Sequence, residues 1–597
     1  MRTTRPYRAV SLLLSIIMAA LLAGCSINLD ENGNIGISAD ETAPQPEKTA
    51  GVSENEPEAQ SEKAAEPTGD IVILFTSDVH CGIDQHFGYD GLWQIRERAK
   101  AEGNSVLLVD NGDSIQGEPV GTMTDGESII RLMNEMGYDV ATIGNHEFDY
   151  GMEKFLELTG EADFPYTSCN FNKDGELVFE PYIIKEAAGK KIAFVGITTP
   201  ETLTSSTPKY FQDENGKFVY GFLQDKTGQG LYDAVQKAVD DALKAGADFV
   251  IAMGHLGNEE KNRPFTYADV IANTSGIDAF IDGHSHDMER NVVKNKDGQE
   301  IIRQACGYKL DGIGYIRISA ADDAIDMGLF TWENQRLPSE VFGFENKMTQ
   351  DVADETKVLD EELGKVVAHT DVDLVVNDPT ERTPDNKPVR IIRTRETNLG
   401  DLCADAIRDQ LGADVAIINS GGIRDEIPKG DITQKEILSV HPFGNMISMI
   451  EVTGQQLLDA LEWGGSDLPG ENGGFLQVSG LTYEIDADIE SSVTKDEDSM
   501  FTGVSGKYRV RNVKVGDEEL DPKKTYTLAS HEYMLFNHGD GFTMFDGCKV
   551  VLDRVKLDNQ VLIDYITQTL GGKVGEDYSD PYGQGRIIID VQRRQGE

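Results

Sequence analysis

Residues 144–149 read GNHEFD and directly follow a short apolar run at 140–143. Asn145, His146 and Asp149 stand close together, so a turn at the carboxyl end of a buried strand would direct all three side chains into one small volume. A single Asn-His pair in a loop is ordinarily solvated turn chemistry. A functional role for the stretch is favoured because four further clusters of similar residues follow other apolar runs in the chain.

Short apolar runs alternate with longer helical segments between residues 70 and 342. The runs lie at 71–75, 105–109, 140–143, 192–196, 249–253 and 279–281. Continuous apolar runs of this kind are typical of strands buried on both faces in a layered α/β domain. Active groups in such domains tend to lie beyond the carboxyl ends of the strands. We therefore expect an α/β catalytic domain over residues 70–342.

Polar clusters rich in metal-ligand residues follow five of these runs. They are Asp78-Val79-His80, Asn111-Gly112-Asp113, the GNHEFD stretch, Gly254-His255 and Gly283-His284-Ser285-His286. A single cluster of this kind needs no functional explanation, since a lone histidine more often packs against other residues or caps a helix. Five such clusters in one domain would be improbable by chance. Imidazole, carboxylate and amide ligands suit zinc, manganese, iron or cobalt better than calcium. The sequence therefore predicts two divalent metal ions bridged by a carboxylate.

The order DxH, GD, GNHE, GH and GHxH resembles the calcineurin-like metallophosphoesterase superfamily. By that resemblance, one ion is held by Asp78, His80, Asp113 and His286, and the other by Asp113, Asn145, His255 and His284. The resemblance also implies that His146 is the catalytic imidazole, which stabilises charge on the phosphate and assists the leaving alkoxide. Asp149 would orient that imidazole.

A second group of motifs lies beyond residue 369. Arg390, Arg393 and Arg395 form a local anion site in a very acidic chain. Asn419-Ser-Gly-Gly-Ile-Arg424 follows an apolar strand, and its glycines allow the backbone to approach a ligand closely. Arg424 can pair with phosphate in bidentate fashion.

Aromatic residues complete this second group. His441-Pro442-Phe443-Gly444-Asn445 offers a ring in a tight turn, and Tyr533 and Phe536 precede Gly539-Asp540-Gly541-Phe542. Together these motifs resemble the substrate-binding domain of the bacterial 5′-nucleotidase and UDP-sugar hydrolase family, and the resemblance covers almost all of the chain from Asp70.

The family resemblance assigns substrate contacts to these motifs. The implied substrate-binding residues are Arg390, Arg393, Arg395, Asn419, Arg424, Phe443, Asn445, Tyr533 and Asp540. The arginines would bind phosphate, with Arg390 or Arg395 supplying a contact beyond those of Arg393 and Arg424. Two rings would sandwich the base, Phe443 being one and Tyr533 the other, with Phe536 as the alternative second ring.

The amino terminus has the features of a secretory signal. Arginines precede an apolar run at 11–23 that is shorter than a membrane span. The run ends in Leu22-Ala23-Gly24-Cys25, which resembles the lipobox of bacterial lipoproteins. The resemblance implies removal of residues 1–24, acylation of Cys25, and attachment to the outer face of the bacterial cell membrane or envelope. Residues 25–69 are acidic and lack aromatic residues, so we expect a disordered tether.

The charge of the chain limits its partners. It has 54 basic and 104 acidic residues and a formal net charge of −50, which argues against a nucleic-acid polymer because phosphate backbones bind basic stripes. The cysteines after Cys25 show no CxxC spacing and are interpreted as mostly buried thiols. No protein partner follows from the sequence.

The predicted architecture is α/β throughout. A layered metallophosphoesterase domain with mixed sheets and flanking helices (70–342) is joined by a linker with a helix (343–368) to a smaller α/β substrate-binding domain (369–597). A hinge is expected between about residues 349 and 368. The expected activity is metal-dependent hydrolysis of nucleoside 5′-monophosphates outside the cell, with UDP-sugars as compatible substrates. The alternatives are a 2′,3′-cyclic-nucleotide phosphodiesterase with 3′-nucleotidase activity and a surface nucleotide-binding lipoprotein with a vestigial metal centre.

Overall fold

The computed structural model describes residues 25–29, 35–39, 69–259, 262–332, 345–383 and 387–590. The expected signal peptide lies outside these residues. Within the expected tether, Cys25–Leu29 and Ile35–Ala39 pair as antiparallel strands, so the structure differs from the expected disorder at these positions. Alternating apolar residues around Asn32-Gly33 in the sequence favour a hairpin. The rest of the tether is outside the described residues.

Two six-stranded mixed sheets form the core of the catalytic domain. In spatial order, the first sheet contains Ile325–Thr331, Gly312–Ile318, Ile71–Thr76, Ser105–Asp110, Val140–Thr142 and Tyr166–Thr167. The second contains Arg290–Lys294, Glu300–Ala305, Ala279–Asp282, Phe249–His255, Lys190–Thr198 and Tyr182–Ala187. All six apolar runs of the sequence therefore form strands, and they lie in the parallel part of one sheet or the other.

The two sheets pack face to face between outer helices. Phe75 and Val109 of the first sheet share a buried cluster with Phe194 and Ile251 of the second. The helices of this domain are Gly88–Ala101, Pro119–Thr124, Glu127–Met136, Met152–Glu161, Thr202–Ser205, Gln229–Lys244 and Tyr267–Asn273. A small sheet of Asn172–Lys173, Glu176–Leu177 and Tyr220–Gly221 flanks them. The predicted layered α/β architecture is confirmed.

The linker helix, Lys347–Leu363, belongs physically to the catalytic domain. Asn346 begins it with a capping box, and Asn346 also donates from its side-chain amide to Asp90 on the helix Gly88–Ala101. Met348, Val352 and Leu359 are buried in the core that this helix shares with the catalytic domain. The predicted hinge would therefore lie at or after the end of this helix.

The carboxyl-terminal domain is a smaller α/β unit. Its main sheet contains, in order, Leu476–Ser479, Val415–Asn419, Thr525–His531, Met446–Thr453 and Lys549–Leu557. Smaller sheets contain Glu518–Glu519, Val510–Val515, Leu481–Asp486 and Ile587–Asp590; Gly430–Thr433, Val366–Thr370 and Lys573–Val574; Asn377–Arg382 and Pro388–Arg390; and Val493–Lys495 and Phe501–Val504. The helices are Asn398–Leu411, Gln434–Val440, Gly454–Gly464, Glu532–Leu535, Asp558–Asp564 and the π-helical turn Tyr565–Thr569.

The cysteines of the two domains are free thiols. Cys81, Cys169, Cys306 and Cys403 are buried, and Cys548 is half-buried. The interpretation as mostly buried thiols is confirmed.

Candidate active site

The structure brings all the predicted metal ligands to one place, where the two sheets present their carboxyl edges. Asp78, His80, Asp113 and Asn145 follow strands of the first sheet, and His255, His284 and His286 end or follow strands of the second. Ligand atoms lie within 4.8 Å of one another in each of three groups, which are Asp78, His80 and His286; His80, Asp113 and His146; and Asp113, His255 and His284. Asn145 joins them through its Oδ1, which is 2.8 Å from His284 Nδ1.

Asp113 lies at the centre of this cluster. Its Oδ2 is 3.1 Å from His255 Nε2 and 3.9 Å from His80 Nε2. His80 Nε2 is in turn 3.1 Å from His286 Nε2. Ligands about 2.0–2.2 Å from one ion lie roughly 3–4 Å apart, so these separations suit metal coordination. Asp113 belongs to two of the three groups, as the predicted bridging role requires.

The two most buried imidazoles are oriented by the backbone. His80 Nδ1 is 2.9 Å from the Gln116 carbonyl, and His255 Nδ1 is 2.9 Å from the Asn111 carbonyl. Each Nδ1 therefore donates to a carbonyl oxygen, which directs Nε2 into the cluster. This arrangement of buried imidazoles and carboxylates fits two divalent ions.

Most of these ligands have an unusual backbone conformation. Asp78, His80, Asp113, His284 and His286 have φ values of 52°, 45°, 58°, 77° and 55°. Positive φ is uncommon for residues other than glycine, and such strain concentrates at functional sites. Surrounding contacts must therefore hold the loops in place.

Glu147 is one of these contacts, and the sequence analysis gave it no role. Its buried carboxylate accepts hydrogen bonds from the backbone N–H groups of Asp113, Ser114 and Gly144 at 2.8, 2.8 and 2.7 Å. Burial raises the pKa of Glu147 to about 8. The residue lies inside the GNHEFD stretch, so the motif itself contained the signal. Glu147 fixes the loop that carries the bridging Asp113.

Glu201 is a second residue that the sequence analysis missed. Its Oε2 is 2.7 Å from His284 Nε2 and accepts a hydrogen bond from Asn262 at 2.6 Å. A carboxylate on the far nitrogen of a metal-binding histidine fixes the ring orientation. Glu201 follows the strand Lys190–Thr198, which contains the one apolar run after which no polar cluster was identified.

The pKa values of the cluster reflect burial and mutual charge. Burial lowers the pKa of His80 and of His286 well below the usual range, so both are neutral. Burial raises the pKa of Asp78 to about 7. Burial opposes protonation of His255, but the carboxylates of Asp113 and Asp78 outweigh it and raise the pKa of His255 to about 10. The metal-free cluster therefore holds a proton on His255.

His146 and Asp149 form the predicted dyad beside the cluster. His146 Nδ1 is 2.5 Å from Asp149 Oδ2, and Ser206 Oγ donates to Asp149 Oδ1 at 2.9 Å. The backbone N–H of His146 donates to Asp113 Oδ1 at 2.7 Å. The dyad is therefore tied directly to the bridging carboxylate, and its catalytic role stays a prediction.

A single cleft of about 610 Å³ joins this cluster to the carboxyl-terminal domain. Its lining includes Asp113, Asn145, His146, Asp149, His284 and His286 on one side and Arg390, Arg393, Asn419, Arg424, Phe443, Asn445, Tyr533 and Asp540 on the other. Tyr533 Oη donates to the Thr204 carbonyl at 3.0 Å across the domain boundary. The Phe443 ring stacks on the His146 imidazole with 5.9 Å between centroids.

Arg395 and Phe536 do not take part in this lining. Arg395 is exposed, and its Cζ lies 6.0 Å from the Tyr582 ring. Arg395 therefore lies outside the cleft lining, after the turn that follows Ile391, and its contact with phosphate stays a prediction. Phe536 packs under Arg554, whose Cζ is 5.2 Å from the ring. Of the two candidate second rings, Tyr533 is the one that lines the cleft.

The remaining arginines create a positive region in the cleft. Burial, together with the charges of Arg390 and Arg424, lowers the pKa of Arg393 to about 9. Burial and the charge of Arg390 also lower the pKa of Arg424. Arg390 is paired with Glu471, to which its Nε donates at 2.7 Å. The positive charges of Arg393 and Arg424 thus repel one another, and an anion bound between them would relieve this repulsion.

Metal binding is expected to release a proton. Because the pKa of His255 is raised to about 10, its proton remains bound between pH 7.5 and 9 in the metal-free protein. A zinc ion can bind His255 only when this proton is released. The association constant for zinc should therefore rise about tenfold per pH unit in this window. Calorimetric titration in buffers of different ionisation enthalpy measures the released proton, with His369→Ala as a surface control. Affinity that does not change with pH would contradict this expectation.

Comparisons with known proteins agree with this geometry. The calcineurin-like phosphoesterase model matches residues 71–288, and the 5′-nucleotidase C-terminal domain model matches residues 366–547. The 5′-nucleotidase of Vibrio parahaemolyticus is 27% identical over 547 residues, which cover 84% of this chain and 90% of that protein. The crystal structure of a 5′-nucleotidase precursor from Thermus thermophilus superposes with a TM-score of 0.71 at 25% identity, covering 88% of this chain and 100% of that chain.

A longer relative is similar over most of this chain. The trifunctional nucleotide phosphoesterase protein YfkN of Bacillus subtilis is 28% identical over 573 residues, which cover 87% of this chain. The match spans only 35% of that protein. Residues 71–288 are thus a calcineurin-like phosphoesterase domain, residues 366–547 are a 5′-nucleotidase C-terminal domain, and the chain is a hydrolase of the 5′-nucleotidase type.

Proposed function

We propose that the protein hydrolyses nucleoside 5′-monophosphates to nucleoside and phosphate and that the reaction depends on two divalent metal ions. The observation that carries this proposal is the single cleft in which a metal-ligand cluster faces arginines and aromatic rings. A nucleotide has a phosphate that can approach the metal-ligand cluster and a planar base that can stack on the aromatic rings. UDP-sugars have the same two parts and are compatible additional substrates.

The ligand cluster would hold the ions. Asp78, His80, Asp113 and His286 would hold one ion, and Asp113, Asn145, His255 and His284 would hold the other. The support is that Asp78 groups with His80 and His286, that Asp113 groups with His255 and His284, and that Asn145 contacts His284. The ligand types favour zinc, manganese, cobalt or iron. Such ions would polarise the phosphoryl oxygens and bring the pKa of a water towards neutrality.

His146 would act on the phosphate ester itself. Asp149 binds Nδ1 of His146, which orients the ring and leaves Nε2 as the nitrogen available to substrate. A protonated Nε2 can stabilise the developing negative charge and donate its proton to the departing ribose oxygen. The hydrogen bond from Ser206 holds Asp149 in the required orientation.

The carboxyl-terminal side of the cleft would recognise the nucleotide. Arg393 and Arg424 offer planar guanidinium groups for paired hydrogen bonds with phosphate oxygens. Phe443 and Tyr533 offer rings for stacking on a base, which contributes roughly 1–3 kcal/mol and accepts any base. Asn419 donates to Asp540 Oδ2 at 2.7 Å, so Asn419 positions a carboxylate that can accept from ribose hydroxyls. Asn445 also lines the cleft and can contact base or ribose.

Substitution of the proposed acid tests this mechanism. We expect His146→Ala to lower kcat by about 100-fold or more, because general acid catalysis is lost, while both metal ions are retained. Steady-state kinetics and metal analysis of the same preparation measure the two effects, and His369→Ala, an exposed histidine paired with Asp431, is the matched control. If the variant loses activity only in proportion to its lost metal, the assigned role of His146 fails.

A substrate panel tests the activity as a whole. We expect metal-dependent phosphate release from AMP, abolished by chelation and restored by added zinc, manganese or cobalt. The same assay is carried out with 2′,3′-cyclic AMP and with UDP-glucose, so that the three substrates can be compared. Preferential cleavage of the cyclic substrate would favour the 2′,3′-cyclic-nucleotide phosphodiesterase, and failure to cleave any of the three substrates would favour a nucleotide-binding protein without catalysis.

We also propose that the mature protein is anchored by lipid on Cys25 at the outer face of the bacterial membrane or envelope. The support is the order of basic residues, apolar run and Leu-Ala-Gly-Cys at residues 22–25. Nucleotides outside the cell would then be the substrates. The described residues contain no helix that is both long and apolar enough to span a bilayer.

Labelling with palmitate in a bacterial host tests the anchor. The wild-type chain should incorporate the label and fractionate with membranes, whereas Cys25→Ser should do neither, because the acylated thiol is lost. Cys548→Ser, which changes the half-buried thiol of the folded part, should behave as wild type. Label in the Cys25→Ser chain, or none in wild type, would contradict the proposal.

A further inference from the structure

A second group of metal-ligand residues lies inside the carboxyl-terminal domain. His441, His531 and Asp558 are 2%, 0% and 2% exposed. One nitrogen from each ring and one carboxylate oxygen lie within 4.8 Å of one another. None of the three residues lines the catalytic cleft, and the function proposed above gives them no role.

Several polar atoms of this group have no hydrogen-bond partner in the described part of the chain. They are His441 Nδ1, both ring nitrogens of His531, and Asp558 Oδ2. Buried polar atoms of native proteins almost always have partners, because the loss of hydration is otherwise uncompensated. Unpartnered atoms of three side chains that converge on one point indicate that a further species satisfies them.

The remaining polar atoms are held by the backbone. His441 has a hydrogen bond with the Gly422 backbone, and Asp558 Oδ1 accepts from the Asn559 N–H at 2.7 Å. These contacts restrict the orientations of the His441 and Asp558 side chains within the group. Metal-binding side chains are commonly oriented in this way by outer contacts.

The internal distances match coordination better than direct hydrogen bonding. His531 Nε2 and Asp558 Oδ2 are 3.6 Å apart, which is too long for a hydrogen bond. Two ligands about 2.0–2.1 Å from one tetrahedral ion lie about 3.4 Å apart. The separation is therefore close to that of two ligands on a shared ion.

The charge states of the two imidazoles suit metal binding, whereas burial raises the pKa of Asp558 to about 7, so an ion would compete with a proton for that carboxylate. Burial lowers the pKa of His441 to about 4 and that of His531 to about 3. Both rings are consequently neutral near pH 7, which is the form that binds metals. A salt bridge between protonated histidine and Asp558 is therefore not what stabilises the group.

We propose that His441, His531 and Asp558 bind one further divalent metal ion of the zinc type, separate from the ions of the catalytic cleft. Two imidazoles and one carboxylate form a common ligand set for zinc, and a water would complete a tetrahedral site. The surroundings are closed to solvent, since all three side chains are buried in the domain. Its role is structural.

The proposed ion would lie next to the two segments that carry the aromatic rings of the cleft. His441 precedes Phe443 by two residues, and His531 precedes Tyr533 by two. The backbone N–H of Asp558 donates to the Asn445 carbonyl at 2.9 Å. The ion would thus connect the two segments that carry the aromatic rings. Only this consequence rests on the proposed function, because the binding of the ion itself does not depend on which substrate the cleft accepts.

Anomalous diffraction at the zinc edge, on crystals of the full chain loaded with zinc alone, is the decisive experiment. We expect a peak between His441, His531 and Asp558 in addition to the peaks in the catalytic cleft. A peak at this site with none in the cleft would support this inference while contradicting the proposed metal dependence of catalysis. An ordered water or empty density between the three residues would overturn the inference.

Metal analysis of variants provides a second measurement. His441→Ala, His531→Ala and Asp558→Asn should each lose one equivalent of zinc per chain relative to wild type. His369→Ala, which changes an exposed histidine of the same domain, should keep the wild-type content. Unchanged zinc content in all three folded variants would overturn the inference, and the wild-type diffraction decides it if the variants fail to fold.

Discussion

The contact between Asp113 and His255 is the interaction on which the rest of the site depends. Asp113 follows a strand of the first sheet and His255 ends a strand of the second, so their 3.1 Å approach joins the two layers at their carboxyl edges. The same carboxylate accepts the backbone N–H of His146. Its own backbone is held by Glu147. Sheet packing, the predicted metal ligation and the predicted catalytic dyad therefore share one aspartate.

Much of this arrangement could be predicted because strand ends and ligand types are both visible in a sequence. Buried parallel strands appear as apolar runs, and the polar residues that follow them must meet at one edge. Glu201 was not predicted because a carboxylate that hydrogen-bonds to a metal-ligand side chain has no characteristic spacing in the sequence. Arg395 lies outside the cleft lining, which could not be predicted because charge composition does not show on which side of a turn each arginine lies. The strands at Cys25–Leu29 and Ile35–Ala39 were missed because overall acidity outweighed a local hairpin pattern.

The two domains contribute different kinds of chemistry to one cavity. The catalytic domain supplies carboxylates and imidazoles, whereas the carboxyl-terminal domain supplies cations and rings. The stacking of His146 on Phe443 and the hydrogen bond from Tyr533 to Thr204 show how closely the two surfaces approach. A substrate that contacts both must fit between groups that already touch, so access to the cleft requires some of these contacts to break.

The linker helix has a consequence for the modularity of the chain. Met348, Val352 and Leu359 fill the catalytic core, so the helix is a structural part of the first domain although it lies beyond the residues that match the phosphoesterase family model. A gene rearrangement that gave this catalytic domain a different partner would have to preserve the helix and join the new sequence after Leu363. The unit that evolution can exchange is thus longer than the unit that carries the catalytic motifs.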